Sequence, residues 1–198
     1  MLKKFFQDNL IEAGIDEAGR GALVGPVFAA AVILPKSFVV LDIKDSKILS
    51  PKQRSYLKTH IEDNAIATSI GIATEKEIDT LNIEKATFLA MHRAIGQLSQ
   101  KAELLIIDGS RFSQYNNVPH VCIVKGDNKY ISIAAASILA KTYRDEYMLS
   151  LHNKHPEYRW DTNKGYPTKF HREIIAKYGK TPFHRQSFKT NFSKFVVQ

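Results

Sequence analysis

The chain has 198 residues, and its 28 Lys and Arg against 20 Asp and Glu give a formal net charge of +8. This length suits one large domain that can bury an extensive core. The single cysteine, Cys122, excludes an internal disulfide and fits a reducing compartment, so we expect a cytoplasmic protein. No apolar run is long enough to predict a membrane span, and the basic surface favours a polyanionic partner such as nucleic acid.

Five short apolar segments are predicted to form strands. Glycines and a proline separate the first two segments, which indicates a turn between them. The third alternates between apolar and polar residues, and the last two are compact apolar runs that end in aspartates. The predicted strands cover residues 11–16, 27–34, 65–73, 104–108 and 120–127.

Helices are predicted between and after these strands. Ser50 is a good N-cap with Pro51 at the first helical position, and Asn82 can cap a long amphipathic helix. Two further helices are expected at 130–151 and near 169–178. This order predicts an α/β fold with a mixed sheet covered by helices, in which the first three strands form an antiparallel meander and the fourth is added across a crossover.

Acidic residues stand at the predicted ends of three strands: Asp16 followed by Glu17, then Asp108, then Asp127. Strand ends are where ligands bind in α/β sheets, and Asp16 and Asp108 would converge if their strands were neighbours. Carboxylates without Cys or His companions favour Mg²⁺ or Mn²⁺ over Zn²⁺, and a pair of such ions on a basic protein indicates phosphodiester hydrolysis. Taken singly, however, an aspartate at a strand end is more often a turn or cap residue.

The adjacent pair Asp16 and Glu17 raises a geometric question, because successive residues of a strand point to opposite faces of the sheet. Both residues serve one site only if the strand ends at Asp16. Glu17 would then belong to the turn, which Gly19 makes plausible, or would contribute its backbone carbonyl.

Longer motifs carry a resemblance to a known family. The chain resembles ribonuclease HII, a type 2 ribonuclease H family, over roughly residues 10 to 188. The motifs that carry this resemblance are, in order along the chain, GIDEAGRGALVGPVFAAAVIL, DSKILS, LLIIDG, KGDNKYISIAAASILAKTYRD, KGYPT and HRQSF. The resemblance implies a ribonuclease H-like mixed five-stranded sheet flanked by helices. It also implies a single catalytic domain over 1–198, with 155–198 as a helical C-terminal substrate-binding extension.

The activity implied by this resemblance is that of a metal-dependent endonuclease. Such an enzyme cuts the RNA strand of RNA–DNA hybrids and cuts 5′ of ribonucleotides embedded in duplex DNA, leaving a 3′-hydroxyl and a 5′-phosphate. The implied partner is therefore an RNA–DNA hybrid or a DNA duplex with embedded ribonucleotides, and we expect the protein to act as a monomer in ribonucleotide removal and in DNA replication and repair.

The catalytic and metal-binding set implied by the resemblance is Asp16, Glu17, Asp108 and Asp127, which would hold two Mg²⁺ or Mn²⁺ ions. The fourth position has two candidates, Asp127 in KGD and Asp145 in AKTYRD. Asp127 is favoured because it is predicted to end a strand, whereas Asp145 lies within a predicted helix.

Substrate choice requires a group that detects the 2′-hydroxyl, and the resemblance assigns this role to Gly19-Arg20-Gly21 and Tyr166. The glycines allow the backbone to approach a sugar, Arg20 can pair with a phosphate, and Tyr166 offers a ring and a hydroxyl. Lys47 is a candidate contact to the DNA backbone. Further candidate phosphate contacts, each of which alone is more often a surface charge, are Lys125, Lys129, Lys141, Lys164, Lys169, His171, Arg172, His184 and Arg185.

Two other functions stay open on the sequence: a non-catalytic nucleic-acid-binding domain, and a DNA-only nuclease of the same broad fold. The full acidic set argues against the first, and the Gly-Arg-Gly turn with Tyr166 argues against the second. The tail carries Phe188, Phe192 and Phe195, which resemble a clamp-binding peptide only poorly, and packing of an amphipathic final segment is favoured.

Overall fold

The structure is a computed structural model that describes residues 2–39 and 49–190. The strands within these ranges are β1 (Glu12–Ala18), β2 (Val27–Ile33), β3 (Ala67–Ala73), β4 (Leu104–Asp108) and β5 (His120–Ile123). The α-helices are α1 (Pro51–Asn64), α2 (Glu75–Leu81), α3 (Ile83–Gly96), α4 (Ile131–His152), α5 (Trp160–Asn163) and α6 (Lys169–Tyr178). Short 3₁₀ turns cover Gly126–Asn128 and Pro156–Tyr158. No helix in the described ranges is long and apolar enough to cross a membrane.

The five strands form one mixed sheet in the order β3-β2-β1-β4-β5. The first three pair antiparallel, whereas β4 lies parallel to β1 and β5 lies parallel to β4. The predicted fold class, the meander and the added fourth strand are therefore confirmed. Ile15 pairs with Ile107 in the parallel register, so Asp16 and Asp108 come next on two neighbouring strands, at the same edge of the sheet.

Helices cover both faces of this sheet, and two glycines allow them to approach it closely. A Cβ atom at Gly14 in β1 would lie 2.2 Å from the carbonyl carbon of Ser132 in α4. A Cβ atom at Gly71 in β3 would lie 2.0 Å from the carbonyl oxygen of Ala90 in α3. Neither position tolerates a side chain without displacing a helix, and the small residues of α4 pack directly on the sheet.

The side chains of β1 alternate between these two helical layers. Ala13 and Ile15 are buried in the cluster that contains the apolar face of α3, and Ala18 is buried in the cluster that contains α4. Because the period of a strand is two, Asp16 shares the α4 side with Ala18, and Glu17 points towards the α3 side.

The predicted end of β5 was wrong, and one helix was not predicted. Strand β5 ends at Ile123, not at residue 127, because Lys125 adopts a left-handed conformation with φ of 55° and the chain then enters the 3₁₀ turn. Asp127 therefore lies in that turn and does not end a strand. Helix α2 was not predicted, although Thr74 and Glu77 form a capping box whose spacing is visible in the sequence.

The C-terminal part of the described chain packs around Trp160, which is fully buried. The ring of Tyr158 stacks on Trp160 with centroids 5.0 Å apart, and the indole NH donates to Nε2 of His171 over 3.1 Å. Helix α6 confirms the helix expected near 169–178. The cluster also includes Leu23 and Val24, so it holds the chain between β1 and β2.

Candidate active site

A cavity of about 470 Å³ opens where β1 and β4 end side by side. Its lining combines carboxylates, the glycine-rich turn and residues from α4 and from the segment before α6. The lining residues are Asp16, Glu17, Ala18, Gly19, Arg20, Gly21, Asp108, Ser137, Lys141 and Tyr166. Three of the four predicted acids thus share one cavity with the whole predicted sugar-reading set.

Asp16 is the most deeply buried of these acids, with 5% of its surface exposed. Its Oδ1 atom accepts a hydrogen bond from the amide of Glu17 over 2.7 Å, and the side chain of Ser137 in α4 also donates to the Asp16 carboxylate. Burial raises the pKa of Asp16 well above its ordinary value, and the negative charges of Glu17 and Asp108 raise it further.

Glu17 reaches the cavity from within the strand and not from the turn after it. Strand β1 continues to Ala18, so the expectation that the strand ends at Asp16 was wrong. Glu17 lies on the other face of the strand, where it and Asp108 line both the main cavity and a second cavity of about 70 Å³ towards α3. Adjacent residues of one strand border one site because the pairing of β1 with β4 ends at Ile15, although the pairing with β2 continues, so side chains from both faces of β1 meet beside the end of β4.

A cation is paired with Glu17. The Nη1 atom of Arg20 donates to Oε1 of Glu17 over 3.2 Å, and the Arg20 side chain is 51% exposed. Burial raises the pKa of Glu17, the guanidinium of Arg20 opposes that rise, and the charge of Asp108 adds to it. Arg20 remains exposed enough to contact a bound ligand.

Neither candidate for the fourth acid lines the main cavity. Asp127 is buried in the 3₁₀ turn, and its Oδ1 accepts a hydrogen bond from the side chain of Asn128 over 3.2 Å. Asp145 forms ion pairs with Arg54 at 3.2 Å and with Lys141 at 2.5 Å. Asp145 is thus paired with two cations, and the assignment of Asp127 as the fourth acid stays a prediction.

The acids of the cavity are also candidate metal ligands. Over 2–39 and 49–190, no group of three or more His, Cys, Asp or Glu side chains is arranged to hold a metal ion. The chemistry of the donors nevertheless fits Mg²⁺ or Mn²⁺, because Asp16, Glu17 and Asp108 offer carboxylate oxygens alone. Burial is the main cause of the raised pKa values of Asp16 and Glu17, and neighbouring negative charge, which a bound cation would neutralise, adds to it.

The predicted sugar-reading residues lie on one side of the cavity. Gly19 has a φ of 97°, a conformation that side chains rarely adopt, and it turns the chain directly after β1. A Cβ atom at Gly21 would lie 3.9 Å from Cε1 of Tyr166, so Gly21 and the tyrosine ring flank the same space. Lys47, the predicted DNA contact, lies outside the described residues, as do Phe192 and Phe195.

One face of α4 supplies the remaining wall. Ser137 and Lys141 stand four residues apart, so both point to the cavity, and Arg144 follows on the same side of the helix. Ser137 was not recognised in the sequence, and its spacing from Lys141 was the available signal. Lys141 was expected to contact phosphate, and it lines the cavity while pairing with Asp145.

Three other expected phosphate contacts were wrong. His171 and Arg185 are 0% exposed and His184 is 1% exposed, so none of them can reach a phosphate on the surface. The sequence motif HRQSF shows the positive charge of Arg185 but not the carbonyl oxygens that surround it in the fold.

The sheet order and a carboxylate-lined cavity at the joined ends of β1 and β4 place the protein in the ribonuclease H-like class of folds. Residues 13–191 match the family model "Ribonuclease HII". The chain belongs to the ribonuclease HII family. Members of this family are endonucleases that hydrolyse RNA in RNA–DNA hybrids, and ribonucleases H generally use divalent metal ions.

Named relatives agree with this assignment over nearly the whole chain. The chain is 56% identical over 188 residues to ribonuclease HII of Bacteroides thetaiotaomicron, covering 95% of this chain and 94% of that protein. Ribonuclease H2 of Pyrococcus horikoshii matches in structure with a TM-score of 0.78 at 26% identity, covering 90% of this chain and 94% of that one. Ribonuclease HII of Archaeoglobus fulgidus, solved in complex with PCNA, has a TM-score of 0.78 at 27% identity, with coverages of 91% and 96%.

Proposed function

We propose that this protein cleaves the RNA strand of RNA–DNA hybrids and also cuts duplex DNA on the 5′ side of an embedded ribonucleotide, leaving a 3′-hydroxyl and a 5′-phosphate. The observation that carries the proposal is the shared cavity: Asp16, Glu17 and Asp108 line it together with the Gly19–Gly21 turn and Tyr166. A phosphate beside the carboxylates would therefore place its neighbouring sugar against the turn and the tyrosine.

Asp16, Glu17, Asp108 and Asp127 are the proposed ligands for two Mg²⁺ or Mn²⁺ ions. Such ions, when bound, activate the attacking water and stabilise the leaving oxygen. The protein contributes oxygen ligands held by its own hydrogen bonds, namely those of Ser137 and the Glu17 amide to Asp16. Arg20 partly neutralises Glu17 and so limits the repulsion among the carboxylates before a cation binds.

Selection for ribose is assigned to the turn and to Tyr166. Gly19 and Gly21 have no side chains, so their backbone groups can approach a 2′-hydroxyl, which DNA lacks. Tyr166 faces Gly21 across the cavity and offers a ring surface and a hydroxyl to the same sugar. This arrangement supports recognition of a single ribonucleotide as well as a continuous RNA strand.

The remainder of the substrate would lie on the basic surface. The net charge of +8 favours a duplex backbone, and we assign the 155–198 extension and Lys47 to such contacts. The relative from Archaeoglobus fulgidus was solved with PCNA, which makes a sliding clamp a second partner to test. A role in ribonucleotide removal during replication and repair in the cytoplasm accords with these substrates.

The decisive experiment uses a DNA duplex with one ribonucleotide, an RNA–DNA hybrid and an all-DNA duplex of the same sequence. Each is incubated with the protein and Mg²⁺, Mn²⁺ or EDTA, and the ends are mapped on a sequencing gel. We expect metal-dependent cutting 5′ of the ribonucleotide and no cutting of the all-DNA duplex. Equal cutting of all three duplexes would instead identify a DNA nuclease, and binding without cutting would identify a non-catalytic module.

A further inference from the structure

Two fully buried arginines, Arg144 and Arg185, lie behind the glycine-rich turn. Among the described residues, no ion pair joins either guanidinium to a carboxylate; the hydrogen bonds of both go to backbone carbonyl oxygens. A buried charge without a carboxylate partner is costly, and well-packed apolar residues often stabilise a core better. The burial of these two arginines therefore indicates a role other than stabilising the fold.

Arg185 holds the turn itself. Its Nη2 donates to the carbonyl oxygen of Gly19 over 2.7 Å, and its Nη1 donates to that of Arg20 over 2.8 Å. Nε and Nη2 also donate to the carbonyl oxygen of Gly25, over 2.9 and 2.8 Å. One planar side chain thus fixes three carbonyl groups of the segment between β1 and β2, from a position more than 150 residues later in the sequence.

Arg144 contacts both halves of the sugar-reading site. Its guanidinium lies 5.1 Å from the ring centroid of Tyr166. A Cβ atom at Gly19 would lie 2.1 Å from Nε of Arg144, so the turn rests directly on this side chain. Its Nη2 donates to the carbonyl oxygens of Val24 and Lys164, over 3.3 and 2.9 Å.

The segment that carries Tyr166 is tied to the same unit. The amide of Leu23 donates to the carbonyl oxygen of Gly165 over 2.8 Å. The carbonyl oxygen of Tyr166 lies 2.9 Å from Nδ1 of His171, whose Nε2 accepts from Trp160, so Nδ1 carries the proton and donates. Every hydrogen bond of the two arginines therefore leads to a carbonyl oxygen between β1 and β2 or, at Lys164, in the segment before α6. Arg185 also stacks on Phe188, with its guanidinium 5.0 Å from the ring centroid.

We propose that Arg144 and Arg185 are positioning residues that set the distance between the Gly19–Gly21 turn and Tyr166, and thereby determine how well the enzyme distinguishes ribose from deoxyribose at the cut. This inference depends on the proposed function, since it assumes that the turn and the tyrosine read the sugar. Lysine keeps the charge but cannot donate in a planar fork to several carbonyl groups, so Arg144→Lys and Arg185→Lys isolate geometry from charge.

The test measures kcat and KM on a DNA duplex with one ribonucleotide, and the Kd for an all-DNA duplex of the same sequence. For each lysine variant we expect kcat to fall at least about 10-fold, because displacements of about 1 Å can cost even more. The Kd for all-DNA is expected to stay unchanged, because neither arginine is exposed. In a Tyr166→Ala background, Arg144→Lys should cause little further loss, since the two changes act on one contact.

A destabilised control separates positioning from stability. Ile61→Ala in α1 removes a fully buried side chain from the α1–α4 core, away from the turn, and should lower the Tm without changing kcat. Lysine variants that keep the wild-type kcat would overturn this inference but would leave the proposed function standing. A wild-type protein that fails to cut the ribonucleotide-containing duplex would overturn the proposed function first. Failure of both lysine variants to fold would assign the arginines to stability and would also overturn the inference.

Discussion

The backbone amide of Gly126 donates a hydrogen bond to Oδ1 of Asp108 over 2.7 Å. A Cβ atom at residue 126 would lie 2.6 Å from Cδ1 of Ile133, so the amide reaches Asp108 because this position has no side chain. The loop that follows β5 therefore orients the carboxylate at the end of β4. Asp127, the next residue along, is held in the same loop, which connects the proposed fourth acid to the site through the backbone.

Replacement of Asp108 by Asn should separate catalysis from folding. The amide oxygen of Asn can still accept from Gly126, but the variant lacks the negative charge needed to bind a cation. We expect cleavage of an RNA–DNA hybrid to fall at least about 100-fold, the scale on which loss of one charge-stabilising group acts. Hybrid binding, measured by fluorescence anisotropy, should stay close to that of the wild type.

The matched control for this variant is Asp63→Asn, which changes an exposed aspartate of α1. It makes the same change in net charge and should cleave at the wild-type rate. An Asp108→Asn protein that still cuts efficiently would remove Asp108 from the catalytic set.

The substitution Gly21→Ala should reduce activity without reducing stability. The new methyl group would lie 3.9 Å from Cε1 of Tyr166, an ordinary contact, and residue 21 does not have a positive φ. The methyl would instead occupy space between the turn and the tyrosine, where we place the ribose. We expect an unchanged Tm and a decrease of about 10-fold in kcat/KM, equivalent to about 1.4 kcal/mol of transition-state binding. A fully active Gly21→Ala enzyme would contradict this placement of the sugar.

The substitution Gly14→Ala should act in the opposite way, on stability. Its methyl group would lie 2.2 Å from the backbone of Ser132, so β1 and α4 must separate. Overpacking of this kind costs about 1–3 kcal/mol, which urea unfolding can measure as a lower midpoint. Gly96→Ala in α3 is the control, because the nearest atom to its methyl is the Tyr115 hydroxyl at 3.0 Å, at the end of a long side chain. Equal stability of both variants would show that the sheet does not require this close approach.

The buried His184 predicts a loss of stability in acid. Burial, together with the nearby His171 and Lys180, lowers its pKa from 6.5 to about 4. Between pH 4 and pH 6.5, His184 therefore binds more protons in the unfolded chain than in the folded chain. The contribution of His184 to the free energy of unfolding is complete above about pH 6.5 and is lost as the pH falls towards 4. Its upper limit is about 3 kcal/mol, from about 1.4 kcal/mol for each pH unit.

Urea unfolding between pH 7 and pH 4 measures this contribution. The free energy of unfolding of His184→Gln should depend less steeply on pH than that of the wild type. His60→Gln, which changes a histidine of α1 outside this cluster, should keep the full dependence. Parallel curves for the wild type and His184→Gln would contradict a lowered pKa at this position.

The sequence by itself determined the sheet and most of the candidate site. Strand segments, helix caps and the acids at 16, 17 and 108 are local patterns, which depend on the periods of strands and helices and can be found without knowing the fold. The boundary at Asp127 was misjudged because the left-handed turn at Lys125 ends the strand within an otherwise strand-like run.

Only the tertiary structure decided how these parts meet. Glu17 joins Asp16 at one cavity although β1 continues past both, because the parallel pairing of β1 with β4 ends just before them. Arg185 looked like a surface cation, yet it is buried against carbonyl groups of residues 19, 20 and 25. Such contacts join residues more than 90 positions apart, so they depend on packing and register, which no local sequence period encodes.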